Sequence, residues 1–174
     1  MLGAAFLLAL AAPSDGLPPH AGTPTTAFCH MGECRWFAEI GRQTLRETRA
    51  GRLIRIDLVD GTSVSAPGEE YEASWGPDAS VVWDRQPHAE WVFCSRRLPA
   101  AIGEDENGRF YAEIFNFREV VPRNLEPSRR LYVYACHGPA ADEIEDFAAH
   151  FRYRVPPVTE LELARPEDIF DHLR

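Results

Sequence analysis

Four cysteines, Cys29, Cys34, Cys94 and Cys136, carry most of the chemistry that residue type and spacing suggest. An even count in an oxidising compartment implies pairing, with three connectivities open. Cys29 and Cys34 bracket His30-Met31-Gly32-Glu33, where Gly32 eases a tight turn. Cys94 ends Trp91-Val92-Phe93-Cys94 and Cys136 ends Tyr132-Val133-Tyr134-Ala135-Cys136. Both runs read as strands that a disulfide could staple across a sheet. The expected pairs are therefore Cys29–Cys34 and Cys94–Cys136. The same residues could hold zinc, but structural zinc sites use two knuckles, and only one tight pair exists here. Cys136-His137-Gly138-Pro139 admits a third chemistry, a thiol at a strand–turn–helix junction, with a lowered pKa and His137 as proton acceptor. Neighbouring residues on a strand face opposite ways, which opposes that dyad.

Other constellations are weaker. The histidines are His20, His30, His88, His137, His150 and His172, with no H-E-x-x-H arrangement. Asp146 and His150 share a helical face and read as a surface pair. Glu104-Asp105-Glu106-Asn107-Gly108 resembles part of a calcium loop, but Gly103 and Ile114 occupy the outer ligand positions. It reads better as a hairpin turn. All 18 basic residues are Arg, which excludes Schiff-base chemistry and a P-loop lysine. No G-x-S-x-G, G-x-G-x-x-G or Walker pattern is present. The chain thus reads as no enzyme, with no cofactor and no metal. Arg42, Arg46, Arg49, Arg52 and Arg55 gather positive charge beside Trp36 and Phe37, so Trp36, Arg46 and Arg55 are candidates for receiving an anionic ligand. Trp75, Trp83 and Trp91 are spaced for a sugar platform, though core packing is their ordinary role.

Two resemblances follow from these motifs. Cys29-x4-Cys34-x-Trp36-Phe37, Val92-Phe93-Cys94-Ser95-Arg96-Arg97-x-Pro99-Ala100 and Tyr134-Ala135-Cys136-His137-Gly138 together resemble a group of uncharacterised exported bacterial proteins. That resemblance covers about a fifth of the chain and implies secretion and disulfides. The six-residue closure from Cys29 to Cys34 resembles the protruding loop Cys-Lys-Pro-His-Asp-Cys of periplasmic inhibitors of vertebrate-type lysozyme, whose His enters the enzyme cleft. It implies binding roles for His30 and Glu33, although His30 here directly follows the first cysteine. A stapled loop is pre-organised, and a net charge of −9 would steer the chain towards a basic enzyme.

Residues 1–11 are apolar and short, as in a signal peptide, and Ala9-Leu10-Ala11 suits cleavage. Residues 12–26 read as a linker, residues 27–154 as a β-rich domain, and residues 155–174 as a tail with a short helix. The expected fold is mainly β (α+β), an antiparallel sandwich or partly open barrel with one helix near the C-terminal end. Strands are predicted over Arg35–Thr48, Arg52–Val59, Thr62–Ser65, Ala79–Trp83, Glu90–Cys94, Phe110–Phe115 and Leu131–Cys136, with Asp60-Gly61 turning a hairpin. The predicted helix follows Gly138-Pro139, with Ile144, Phe147, Ala148 and Phe151 on one face. The expected setting is exported, periplasmic or extracellular, with no transmembrane span. Acidity disfavours nucleic acid and favours a basic protein, with an anionic ligand at the Arg-rich face as the other partner class. The functional expectation is a non-enzymatic binding or envelope-associated protein. The alternatives are an inhibitor of a basic cell-wall hydrolase and a thiol enzyme at Cys136.

Overall fold

A computed structural model describes residues 17, 21–65, 80–120 and 122–173. The expected signal segment, most of the linker and Trp75 lie outside them. β1 (Thr25–His30), β2 (Glu33–Thr48), β3 (Gly51–Val64), β4 (Val82–Trp83), β5 (His88–Cys94), β6 (Ala100–Glu104), β7 (Phe110–Ile114) and β8 (Glu160–Leu163) form one antiparallel sheet. Its order is β1-β2-β3-β5-β6-β7-β8, with β4 also on β3. The outer strands β1 and β8 do not pair, so the sheet is open. Among the described residues the single long helix, α1 (Glu126–His137), lies near the C-terminal end of the chain. The mainly β architecture is thus as the sequence predicts. No helix among the described residues is long and apolar enough to cross a membrane.

Alternation along the strands splits the core between two faces. Ile54, Ile56 and Leu58 of β3, Phe37 of β2, Val92 of β5 and Ala101 of β6 face α1, which presents Leu131, Tyr132 and Ala135. Leu53, Phe93, Ala100, Ile102 and Ile114 face the other way, against Leu163 and the fully buried Ile169. Ile169 belongs to a 3-10 helix, Pro166–Leu173. The C-terminal segment expected as a tail is therefore an edge strand and a lid for the second core.

The disulfides join Cys29 to Cys34 and Cys94 to Cys136, as expected, and point to an oxidising, exported environment. The first spans directly opposed residues of the β1–β2 hairpin. Its two-residue turn has positive φ at Met31 (49°) and Gly32 (82°), the left-handed pair that matches strand twist.

Three local expectations need correction. Leu131–Cys136 is the second half of α1, so the Cys94–Cys136 bond ties a helix to the sheet rather than two strands. The β-like Tyr-Val-Tyr composition yields because a helix here buries Leu131, Tyr132, Val133 and Ala135 together. The start signals are Pro127 in the first turn and Glu126 placed to pair with Arg129 (2.9 Å). Gly138, at φ 88°, ends the helix, and its N–H donates to the Tyr134 carbonyl. The helix predicted after Gly138-Pro139 is instead a 3-10 turn, Pro139–Glu143, and a single turn α2 (Phe147–His150). Asp146 interrupts it in the left-handed region (φ 47°) and caps α2 by accepting the Ala149 N–H. Finally, Asp60-Gly61 makes no turn: β3 runs straight through it. Gly61 serves close packing, because a Cβ there would sit 2.6 Å from Val81 Cγ1 and 2.7 Å from Trp83 Cε3.

Candidate functional site

Helix α1 covers only part of its sheet face. Where its first turn ends, the face continues as an open groove made of two adjoining clefts that share Glu90 and Ser128 as walls. The first, about 340 Å³, has Phe37, Leu58 and Leu131 as apolar floor and Arg35, Asp60 and Glu90 as charged rim. The second, about 260 Å³, is bordered by Glu90, Gly103, Glu104, Asp105, Tyr111 and Glu113. Strand register explains the assembly. Glu90 stands opposite Ile56, and Gly103 opposite Tyr111, so alternate residues of β3, β5, β6 and β7 point into the same space. A Cβ on Gly103 would meet nothing within 4 Å, so the groove is open above it.

The groove is acidic. Among the described residues, Asp60, Glu90, Glu104, Asp105 and Glu113 line it against one lining cation, Arg35. Arg109 holds Asp105 (Nη2–Oδ2 2.8 Å), and this half-buried carboxyl is kept below its usual range chiefly by the Arg109 backbone N–H. Burial raises the Asp60 carboxyl above its usual range, with His88 opposing. His88 lies 3.4 Å from Glu90 and 3.9 Å from Asp60. Its pKa is raised, first by its hydrogen bond to Glu90. An apolar floor with negative walls is the chemistry of a site for a cation carried on an apolar stem.

The sequence-predicted residues do not meet in one place. His30 and Glu33 face each other at the exposed end of the β1–β2 hairpin, with Met31 79% exposed between them. Glu33 also pairs with Arg35 (3.3 Å). Trp36 is buried, and its indole N–H donates to Ser63 Oγ (2.7 Å). Arg46 stacks 4.3 Å over Phe170, and Arg55 pairs with Asp57 (2.8 Å). Both arginines are thus engaged on the sheet face away from the groove. Trp91 meets Phe110 edge to face and Trp83 packs over Gly61, so these two rings form no shared platform. Asp60, Glu90 and Glu113 were missed because their common face depends on strand register. The alternation Asp60–Thr62 and His88–Glu90–Val92 was the signal available.

The Cys136 sulfur is bonded to Cys94, so the thiol that an enzyme reading requires is not free. His137 turns instead to the Tyr153 hydroxyl (2.5 Å). Tyr153 and Tyr132 hydroxyls are 2.7 Å apart, and Tyr132 donates to the Ser95 carbonyl (3.3 Å). Because that carbonyl can only accept, the chain runs from His137 Nε2–H through Tyr153 and Tyr132 to Ser95. Burial among the Phe147 and Phe151 rings, with the Arg96 and His150 charges, pushes the His137 pKa down to about 4. Burial raises both phenols. The trio joins α1, the β5–β6 loop and the segment after α2. Among the described residues, no group of three or more His, Cys, Asp or Glu side chains is placed to hold a metal ion.

Comparison of the chain with protein-family models, with curated proteins and with solved structures finds no match.

Proposed function

We propose that this chain is an exported, non-enzymatic binding protein, periplasmic or extracellular, that takes a basic partner into the groove below α1. The observation that carries this reading is the groove itself, an apolar floor ringed, among the described residues, by five carboxylates and one guanidinium. A lysine or arginine side chain of a basic protein would lay its stem on Phe37 and Leu58 and place its charge between Asp60 and Glu90. The net charge of −9 steers such a partner. Binding of a nona-arginine peptide, followed by calorimetry, tests it. The double variant Asp60→Asn/Glu90→Gln should weaken binding about tenfold or more, and Gly103→Trp, which fills the second cleft without touching the core, should weaken it separately. Equal affinity in all three proteins would remove the groove as the site.

A second reading is favoured by the hairpin. Its disulfide holds His30, Met31 and Glu33 exposed on a pre-organised tip. An inhibitor of a basic cell-wall hydrolase would insert that tip into the enzyme's cleft. Inhibition of a vertebrate-type lysozyme that is lost in His30→Ala/Met31→Ala, yet kept in Gly103→Trp, supports the hairpin. Lysozyme activity unchanged by micromolar wild-type protein would discard it.

A further inference from the structure

At the other end of β3 and β5 the charge reverses. The β2–β3 turn and the β5–β6 loop border a cleft of about 390 Å³ lined by Arg49, Arg52, Arg96 and Arg97, with Glu47 as its one acidic wall among the described residues. The two loops are locked to each other. Ser95, 4% exposed, donates through Oγ to the Ala50 carbonyl (2.9 Å) and accepts from the N–H groups of Arg97 and Leu98 (3.3 Å each). Arg52 and Cys94 are paired across the strands, and Cys94 is bonded to α1. The Arg154 N–H donates to the Arg96 carbonyl (2.9 Å), which pins the loop from a third side.

Arg35, Arg42, Arg55, Arg109, Arg129, Arg130 and Arg165 each meet a carboxylate. Arg49, Arg52, Arg96 and Arg97 meet none among the described residues, in a chain with 27 acidic residues to choose from. Among the described residues Arg46, Arg118, Arg123, Arg152 and Arg154 also meet no carboxylate, so what sets Arg49, Arg52, Arg96 and Arg97 apart is that they share one cleft. Gathering four like charges around one concavity costs Coulomb energy that the one lining carboxylate, Glu47, offsets only in part. The Arg96 charge also reaches inward, where it helps keep His137 neutral.

We propose that this cleft binds a multiply charged oxyanion, a phosphoryl or sulfuryl group, held by the forked guanidiniums of Arg49, Arg52, Arg96 and Arg97. Planar guanidinium forks match tetrahedral oxyanions bidentately, and an ordered loop frame lowers the cost of converging on one ligand. The site is separate from the acidic groove and does not depend on it. Inorganic pyrophosphate is the probe, titrated by calorimetry at low ionic strength. Expected is saturable one-site binding, weakened tenfold or more in Arg96→Gln/Arg97→Gln and in Arg49→Gln/Arg52→Gln, and unchanged in Arg55→Gln, whose guanidinium is already paired. A rise in the melting temperature with pyrophosphate, lost in the double variants, gives a second readout that does not depend on heat of binding. Co-sedimentation with phosphatidylglycerol vesicles separates a headgroup from a free anion as the source. Absence of saturable binding, or equal weakening by Arg55→Gln, overturns the proposal.

Discussion

At the residue scale, the disulfides and His137 carry the sharpest consequences. Cys94–Cys136 closes a separation of 42 residues, and Cys29–Cys34 one of five. On the chain-entropy argument the first stabilises by about 4 kcal/mol and the second by about 2 kcal/mol. Chemical denaturation of the two Cys→Ser pair variants should therefore rank Cys94→Ser/Cys136→Ser as the more damaged protein. The opposite order would mean that the hairpin, not the helix tether, limits unfolding. His137 predicts a pH effect of defined sign. Its pKa falls from 6.5 to about 4 on folding, so the fold favours the neutral ring. Its contribution is complete above pH 6.5 and is lost as the pH drops towards about 4. Stability measured between pH 7 and pH 4 should decline more steeply in the wild type than in His137→Gln. Parallel curves would show that the ring does not carry the effect.

At the element scale, β3 and the C-terminal segment show how packing overrides local signals. Asp-Gly is a strong turn dipeptide, yet β3 continues through Asp60-Gly61 because Gly61 is where Val81 and Trp83 press onto the strand. Gly61→Ala should cost about 1–3 kcal/mol through overpacking, whereas Gly103→Ala, with open space around its Cβ, should leave stability nearly unchanged. Thermal melts of the pair check this directly. The 3-10 helix Pro166–Leu173 looks peripheral in sequence, but Ile169 is fully buried against Phe93 and its neighbours. Ile169→Ala should cost about 2–5 kcal/mol, as a core position does. A change below about half a kcal/mol would mean that the segment is only loosely docked.

At the scale of the whole molecule, charge is segregated along the sheet. Carboxylates line the groove beside the first turn of α1, and unpaired arginines line the cleft near its C-terminal end, where Cys136 meets Cys94. The helix macrodipole complements both, since its positive end faces the acidic groove and its negative end the arginines. This segregation is what the two proposals, a basic partner in the groove and an oxyanion in the cleft, both rest on. Association with the nona-arginine peptide should weaken steeply between low salt and about 0.15 M, where the screening length falls to about 8 Å. An affinity independent of salt would mean that the carboxylates do not carry it.

By itself the sequence determined the mainly β class, the tight Cys29–Cys34 closure, the alternating core of β3 and the turn after Glu104, and it left the Cys94–Cys136 pair as an expectation among three connectivities. The four that it determined depend on composition, on short spacings and on a period of two, all of which act locally, whereas Cys94–Cys136 joins segments 42 residues apart. It also marked Phe147, Ala148 and Phe151 as inward-facing, though not the break that Asp146 makes before them. What it left open was decided by contacts between distant segments. Helix α1 replaced a strand because burying Leu131, Tyr132 and Ala135 against Ile54, Ile56 and Val92 outweighs a modest β-propensity. Both candidate sites belong to the same category. Asp60, Glu90 and Glu113 converge through the register of four strands, and Arg49 and Arg52 meet Arg96 and Arg97 only because Arg52 pairs with Cys94. Register is a property of paired chains, so no single stretch of sequence displays it.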